Sequence, residues 1–200
     1  MSAPFGTAIL SFQNGGTTVS EASVSAVHGG NRFRLYVNAS GDFKASAIGS
    51  IQSGFAVTNI STTAASVTLE LFKLDGSTTG LKGSLSIQAD GQTAVFLNQI
   101  PEFAFLPTPF EGTLRVSSSV SVSLVGFRGR YNERRDFLMT AIAPVNEELP
   151  ASSAPLFFPQ VADSGGYTVQ FVLFSAQPGQ SSGKLSLFSQ LGADLNIMLR

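Results

Sequence analysis

The chain has 200 residues, 12 basic against 13 acidic side chains for a net charge of −1, and neither cysteine nor tryptophan. Disulfides, thiolate metal sites and cysteine nucleophiles are therefore excluded, and no global field would draw the chain onto nucleic acid or an anionic membrane. Charged residues are 12% and apolar residues 43% of the chain, about half the usual share of charge, which suits a neutral, β-rich, secreted-type surface over a packed core.

Helical periodicity is almost absent, and Gly, Pro, Ser and Thr break the chain at the spacing of a sandwich or barrel. Ala8–Gln13 reads as a short strand ending at the Asn14-Gly15-Gly16 turn, and Thr17–Val27 alternates as a second strand could. His28-Gly29-Gly30-Asn31 breaks the pattern before a short strand, Phe33–Val37. Asn38–Ser53 is expected as a loop or irregular edge. Gly54–Ile60 and the alternating Val67–Leu74 follow, the second closed by the hairpin-type Asp75-Gly76 turn. Ser84–Gln88 and Gln92–Leu97 flank Asp90-Gly91, and the apolar Pro101–Pro109 connection is suited to plugging the end of a sandwich.

Phe110–Phe137 is the longest run of strand-like alternation and carries Arg115, Arg128, Arg130, Arg134 and Arg135. It reads as two strands, Thr113–Ser117 and Val120–Arg128. Leu114, Val116, Val120, Val122 and Leu124 share one parity, whereas Val125 and Phe127 take the other. A bulge near Leu124–Gly126, or burial on both faces, would account for the slip. Phe137–Ile142, Leu156–Pro159, Thr168–Ser175, Lys184–Ser189 and Leu195–Leu199 complete the expected strands.

The chain also repeats itself. Phe55–Phe72 aligns with Phe171–Phe188 at a constant offset (171 − 55 = 188 − 72 = 116), Phe33–Gly41 with Phe157–Gly165, and Ala8–Val27 with Ser123–Val145. Residues 1–31 thus match the late part of a repeat, 32–145 form a complete sandwich, 146–154 a linker, and 155–200 an incomplete second sandwich. Residues 1–31 or a neighbouring chain are expected to complete that second unit.

GFAVTNIS, SVTLELFKLDGS, SLSIQADGQTAVFLNQI and FEGTLRVSSSVSVSLVGFRGRYN resemble an Ig-like β-sandwich module of large exported bacterial surface proteins. Asn59, Asp75-Gly76, Gly91-Gln92, Phe96-Leu97, Gly112-Thr113-Leu114 and Ser117-Ser118 stand at the matching positions, over about 54–142 and more weakly 155–199. The resemblance implies an all-β chain of tandem Ig-like antiparallel sandwiches, serving as a surface spacer, adhesive or structural unit.

Few residues invite chemistry. His28 is the lone histidine, with no orienting acid or nucleophile near it in sequence, and one histidine cannot build a multi-histidine metal site. Asp42, Asp75, Asp90 and Asp163 sit in Gly/Ser-rich turns whose steric needs explain them, without the dense acidic spacing of a calcium loop. Glu147-Glu148 reads as part of a solvated linker. No catalytic residue, metal site or cofactor is expected. Asn38 and Asn59 begin glycosylation-type sequons. Arg128, Arg130, Tyr131, Arg134 and Arg135 form the candidate interface or ligand surface, with Glu133 and Asp136 among them to pair internally.

The sequence therefore points to a non-enzymatic structural module outside the cell or on its surface: a spacer, adhesin stalk or filament subunit. Its partners would be copies or neighbouring repeats of the same kind. The alternative is a carbohydrate- or protein-binding adhesion module using Arg128–Asp136. Neither nucleic acid nor membrane insertion is expected, since no segment approaches the ~18 apolar residues of a span. Met1–Gly6 show neither the charged nor the apolar region of a signal peptide.

Overall fold

A computed structural model describes residues 6–150, 154–162, 165–174 and 183–195. The chain is all-β and antiparallel. Among the described residues, a hairpin of β1 (Thr7–Asn14) and β2 (Thr17–Ser25) forms a two-stranded sheet of its own. The remaining strands form one eight-stranded sheet bent into a half-barrel: β3 (Gly30–Ser40), β4 (Ile51–Asn59), β5 (Ala65–Lys73), β6 (Thr78–Ile87), β7 (Gln92–Phe96), β8 (Phe110–Tyr131), β9 (Phe137–Ile142) and β10 (Val145–Asn146).

β8 is the axis of the sheet. Its first half lies between β3 and β5, with Leu114 opposite both Leu35 and Leu71. Its second half lies between β4 and β9, with Gly126 opposite Phe55 and Ile142. The two expected strands are thus one strand of 22 residues. The switch between partners is made by extra residues: Arg32 pairs with Ser117, but Gly30 pairs with Val122, so Ser118–Ser121 bulge opposite Asn31. The irregularity falls in the serine run, not at Leu124–Gly126. A bulge bends a strand and increases its twist, and here the bend carries one strand from one half of the sheet into the other. Leu114, Val116, Val122 and Leu124 keep one parity and face the core. Val125 and Phe127 lie half-buried on the opposite face, where a groove of about 520 Å³ separates the N-terminal hairpin from Ala56, Thr58 and Val125.

The core joins Phe33, Leu35 and Val37 of β3 to Phe55 and Val57 of β4, Val67, Leu69 and Leu71 of β5, and the inward row of β8. The Pro101–Pro109 connection contributes to the core: Ile100 and Phe103, from two short 3-10 turns, are buried against Gly83, while Phe105 stays exposed. The expected loop at Asn38–Ser53 is shorter than its composition suggests, because β3 runs to Ser40 and β4 starts at Ile51. Asn59 is 0% exposed. Its Nδ2 lies within hydrogen-bond reach of the Thr63, Ile87 and Gln88 carbonyls, and its Oδ1 accepts from the Ser61 amide. That sequon asparagine therefore works as a buried strap between two turns.

The described residues of 154–195 form no multi-residue strand. Leu156–Pro159, Thr168–Phe174 and Lys184–Ser189 were all expected to be strands, and lie outside any ladder; Ser175 and residues 196–199 are outside the described residues. Near the end of this region Phe188 bridges Asp194, the Ser189 amide donates to the Ala193 carbonyl, and the Gly192 amide donates to the Ser189 carbonyl.

Candidate functional site

The β8–β9 turn is built around Asn132. Its Oδ1 accepts from the Arg134 and Asp136 amides at 2.9 and 2.8 Å, and its Nδ2 donates to Asp136 Oδ2 at 3.1 Å. Arg135 takes a left-handed conformation (φ 62°) and closes the turn by donating its amide to the Asn132 carbonyl. An asparagine that satisfies neighbouring backbone in this way is the usual anchor of a tight turn.

This framework disperses the arginines. Arg130 Nη2 holds Glu133 at 2.8 Å, and Arg134 Nε holds Asp136 at 3.1 Å. The Arg130 contact, after the local backbone hydrogen bond, keeps the Glu133 carboxyl below its ordinary range. Arg128 donates to Asn38 Oδ1 at 3.3 Å. Alternation along β8 puts Arg128 and Arg130 on the row that continues the core face, and Tyr131 on the opposite face. The five residues expected to form one surface are therefore split between two faces of the sheet and the exposed turn.

Tyr131 belongs to a different constellation. Phe43 from the β3–β4 loop lies 5.2 Å from Phe96, 5.1 Å from Tyr131 and 6.2 Å from Phe137, ring centroid to centroid. Tyr131 and Phe137 are 5.6 Å apart, and Phe12 of the hairpin meets Phe137 edge-on at 6.1 Å. The rings stand 52–89° to one another, the tilted and edge-to-face arrangements that aromatic quadrupoles prefer.

Two glycines make the floor. A Cβ on Gly129 would lie 2.7 Å from the Phe137 ring and 3.0 Å from Phe43, and one on Gly54 would lie 2.5 Å from the Val95 carbonyl and 2.9 Å from Phe96. The half-buried rings line a cleft of about 470 Å³ whose other walls are Lys44, Asn98 and Gln99. Gln99 Oε1 accepts from the Phe96 amide, while Asn98 Oδ1 is buried with no partner among the described residues. No sequence pattern joins these rings, because they come from four separate elements; glycines inside strands were the one available signal.

A second cluster corrects the reading of Glu147 as solvated. Its side chain is only 10% exposed, held by Arg34 Nε at 2.6 Å and Arg115 Nε at 2.9 Å. Arg34 and Arg115 sit directly opposite each other in the β3–β8 register, a like-charge juxtaposition that destabilises a sheet unless neutralised. Both guanidinium groups also lie about 5.5 Å from the Phe72 ring centre. Glu147 follows β10 and donates its amide to the Arg32 carbonyl, so this clamp fastens residues 145–147 along β3.

His28 is exposed in the loop before β3. Among the described residues no three histidine, cysteine, aspartate or glutamate side chains are grouped to hold a metal. Asp42 accepts from the Ala45 amide, Asp75 from Ser77, and Asp90 adopts φ 55° in its turn; Asp163 lies outside the described residues. Among the described residues no helix is long and apolar enough to cross a membrane.

No family model matches the chain, and no curated protein matches it. Among solved structures, Thermotoga maritima 1070 is similar with a TM-score of 0.43 and 11% identity, over 57% of this chain and 94% of that one. Anabaena sensory rhodopsin transducer is similar with a TM-score of 0.41 and 15% identity, over 48% of this chain and 93% of that one. Both likenesses are distant.

Proposed function

We propose that the chain is an exported, non-catalytic structural module of tandem Ig-like sandwiches, in which neighbouring copies or repeats complete one another's sheets. The observation that carries this reading is the set of contacts β8 makes. It pairs with β3, β4, β5 and β9, and residues 155–188, which repeat the sequence of β3 to β5, have no such central strand beside them among the described residues.

The repeat has a geometric counterpart at one place. Lys73 donates to Ser77 and Gly76 to Lys73, while Ser189 donates to Ala193 and Gly192 to Ser189. Phe72 pairs with Thr78 as Phe188 pairs with Asp194, each displaced by 116 (188 − 72 = 194 − 78). The hairpin β1–β2 repeats the sequence of the second half of β8 with β9, and all eight residues of β1 are exposed. Beyond its pairing with β2, β1 has no second strand beside it among the described residues, and such open edges are templates for pairing with another chain. The low charge and Ser/Thr-rich composition support a place outside the cell or on its surface.

Light scattering over a concentration series, with electron microscopy of the same samples, tests the reading. Mass is expected to rise above the 20.9 kDa of one chain, with filaments at the highest concentrations. A constant monomer without fibres rejects it. A second reading, adhesion through a bound saccharide or protein, draws on the rings around Tyr131; Arg130 and Arg134 already hold carboxylates.

A further inference from the structure

We infer that the cleft formed by Phe43, Phe96, Tyr131 and Phe137 is a saccharide-binding site, with Gln99, Asn98 and Lys44 as its polar wall. Its volume of about 470 Å³ falls within the ~300–1,000 Å³ of small-ligand sites, which combine apolar walls with a few placed polar groups.

The class of ligand follows from what the cleft offers and withholds. The strands beneath the rings are already paired: Gly54 with Phe96, Gln52 with Gly129, and Tyr131 with Phe137. An extended peptide would find no open ladder on this floor, so recognition must come from side chains. Rings tilted against one another form a bowl, not a flat strip. A pyranose presents an apolar C–H face that can rest on such a ring, while its rim of hydroxyls meets polar groups. Gln99 uses its Oε1 within its own turn, which leaves its amide N–H groups to donate outward. Asn98 also lines the cleft and adds a second side-chain amide to its polar wall. Among the described residues Lys44 is the one charged side chain lining the cleft, so a sugar carrying a carboxylate gains an added contact.

The experiment is saturation-transfer NMR of the full chain against neutral and uronate-bearing oligosaccharides, at a protein concentration where light scattering gives a single-chain mass. That condition separates this site from self-association. Saturation is expected to reach sugar C–H protons, with Tyr131→Ala weakening binding about tenfold, the size of one lost aromatic contact. Gln99→Ala and Lys44→Ala, on exposed side chains, test the polar wall should Tyr131→Ala disturb folding. Lys44→Ala is expected to weaken the uronate-bearing ligands selectively. No binding by any oligosaccharide overturns the inference. So does binding unchanged in both Tyr131→Ala and Gln99→Ala, or ring resonances that shift with protein concentration alone, which would mean that a second copy covers the cleft.

Discussion

Val57 in β4 is 0% exposed, and Leu173, which aligns with it at the offset of 116 residues, is 73% exposed; Phe33 and its aligned Phe157 differ likewise, at 2% and 85%. The members of each aligned pair are oppositely buried. What separates them is the company of β8, which closes over β3, β4 and β5 and gives each a second neighbour. The 189–193 turn, by contrast, has the same hydrogen bonds as 73–77. Contacts between residues close in sequence form in both regions, and ladders to a distant strand form in one. Alternation makes a segment able to be a strand; a paired backbone on each side makes it one.

The largest expected difference is at the core. Leu69→Ala should cost roughly 2–5 kcal/mol in denaturant unfolding, as for large-to-small changes in a packed interior. Leu185→Ala, at the equivalent position, should stay within about 0.5 kcal/mol in the unassociated chain. Equal costs would break the contrast. Next comes the clamp on β3. Glu147→Gln leaves two arginines facing each other across β3 and β8, and should lower stability by roughly 1–2 kcal/mol, allowing for the partial exposure of Arg115. Added salt should recover part of that loss by screening the pair.

A smaller effect distinguishes the two turns. Gly76 and Gly192 have φ of 83° and 80°, so alanine at either place is strained by about 1–2 kcal/mol. Only Gly76→Ala should move the unfolding midpoint, because that turn joins two strands of the sheet, β5 and β6, whereas the 189–193 turn joins no multi-residue strands among the described residues. The smallest effect is a pH dependence. Hydrogen bonds from Ser77 hold the exposed Asp75 carboxyl below its ordinary range. A carboxyl lowered on folding contributes stability that is present above its unfolded-state value and fades as pH falls through the folded one. Asp75→Asn should therefore flatten the acid limb of the stability profile slightly, whereas Leu191, at the equivalent place in the repeat, has no such group to titrate.

Much of the half-barrel was legible in residues that act locally. Asp75-Gly76 and Asp90-Gly91 marked their turns because few residues take those backbone angles, and the parity of Val67, Leu69 and Leu71 gave the buried face of β5. The length of β8 was not legible: Ser117-Ser118-Ser119 reads as a break, and only the presence of β3 alongside turns it into a bulge. Asn38–Ser53 read as loop because its glycines and serines sit at the ends of β3 and β4, where pairing with β8 overrides weak propensity. Glu147 looked solvated because its two arginines lie 32 and 113 residues away. The aromatic cleft was hidden for the same reason, since only Tyr131 and Phe137 of its four rings are near one another in sequence. Residues 155–188 carry a strand-forming pattern yet form no ladder among those described, and whether a strand finds a partner is something no local signal contains.

Amide hydrogen exchange followed across protein concentration tests the central claim most directly. Thr168–Phe174 and Lys184–Phe188 are expected to exchange rapidly in the single chain and to gain protection as mass rises, while β8 stays protected throughout. Rapid exchange of those residues in associated protein, or slow exchange in the dilute monomer, would contradict it.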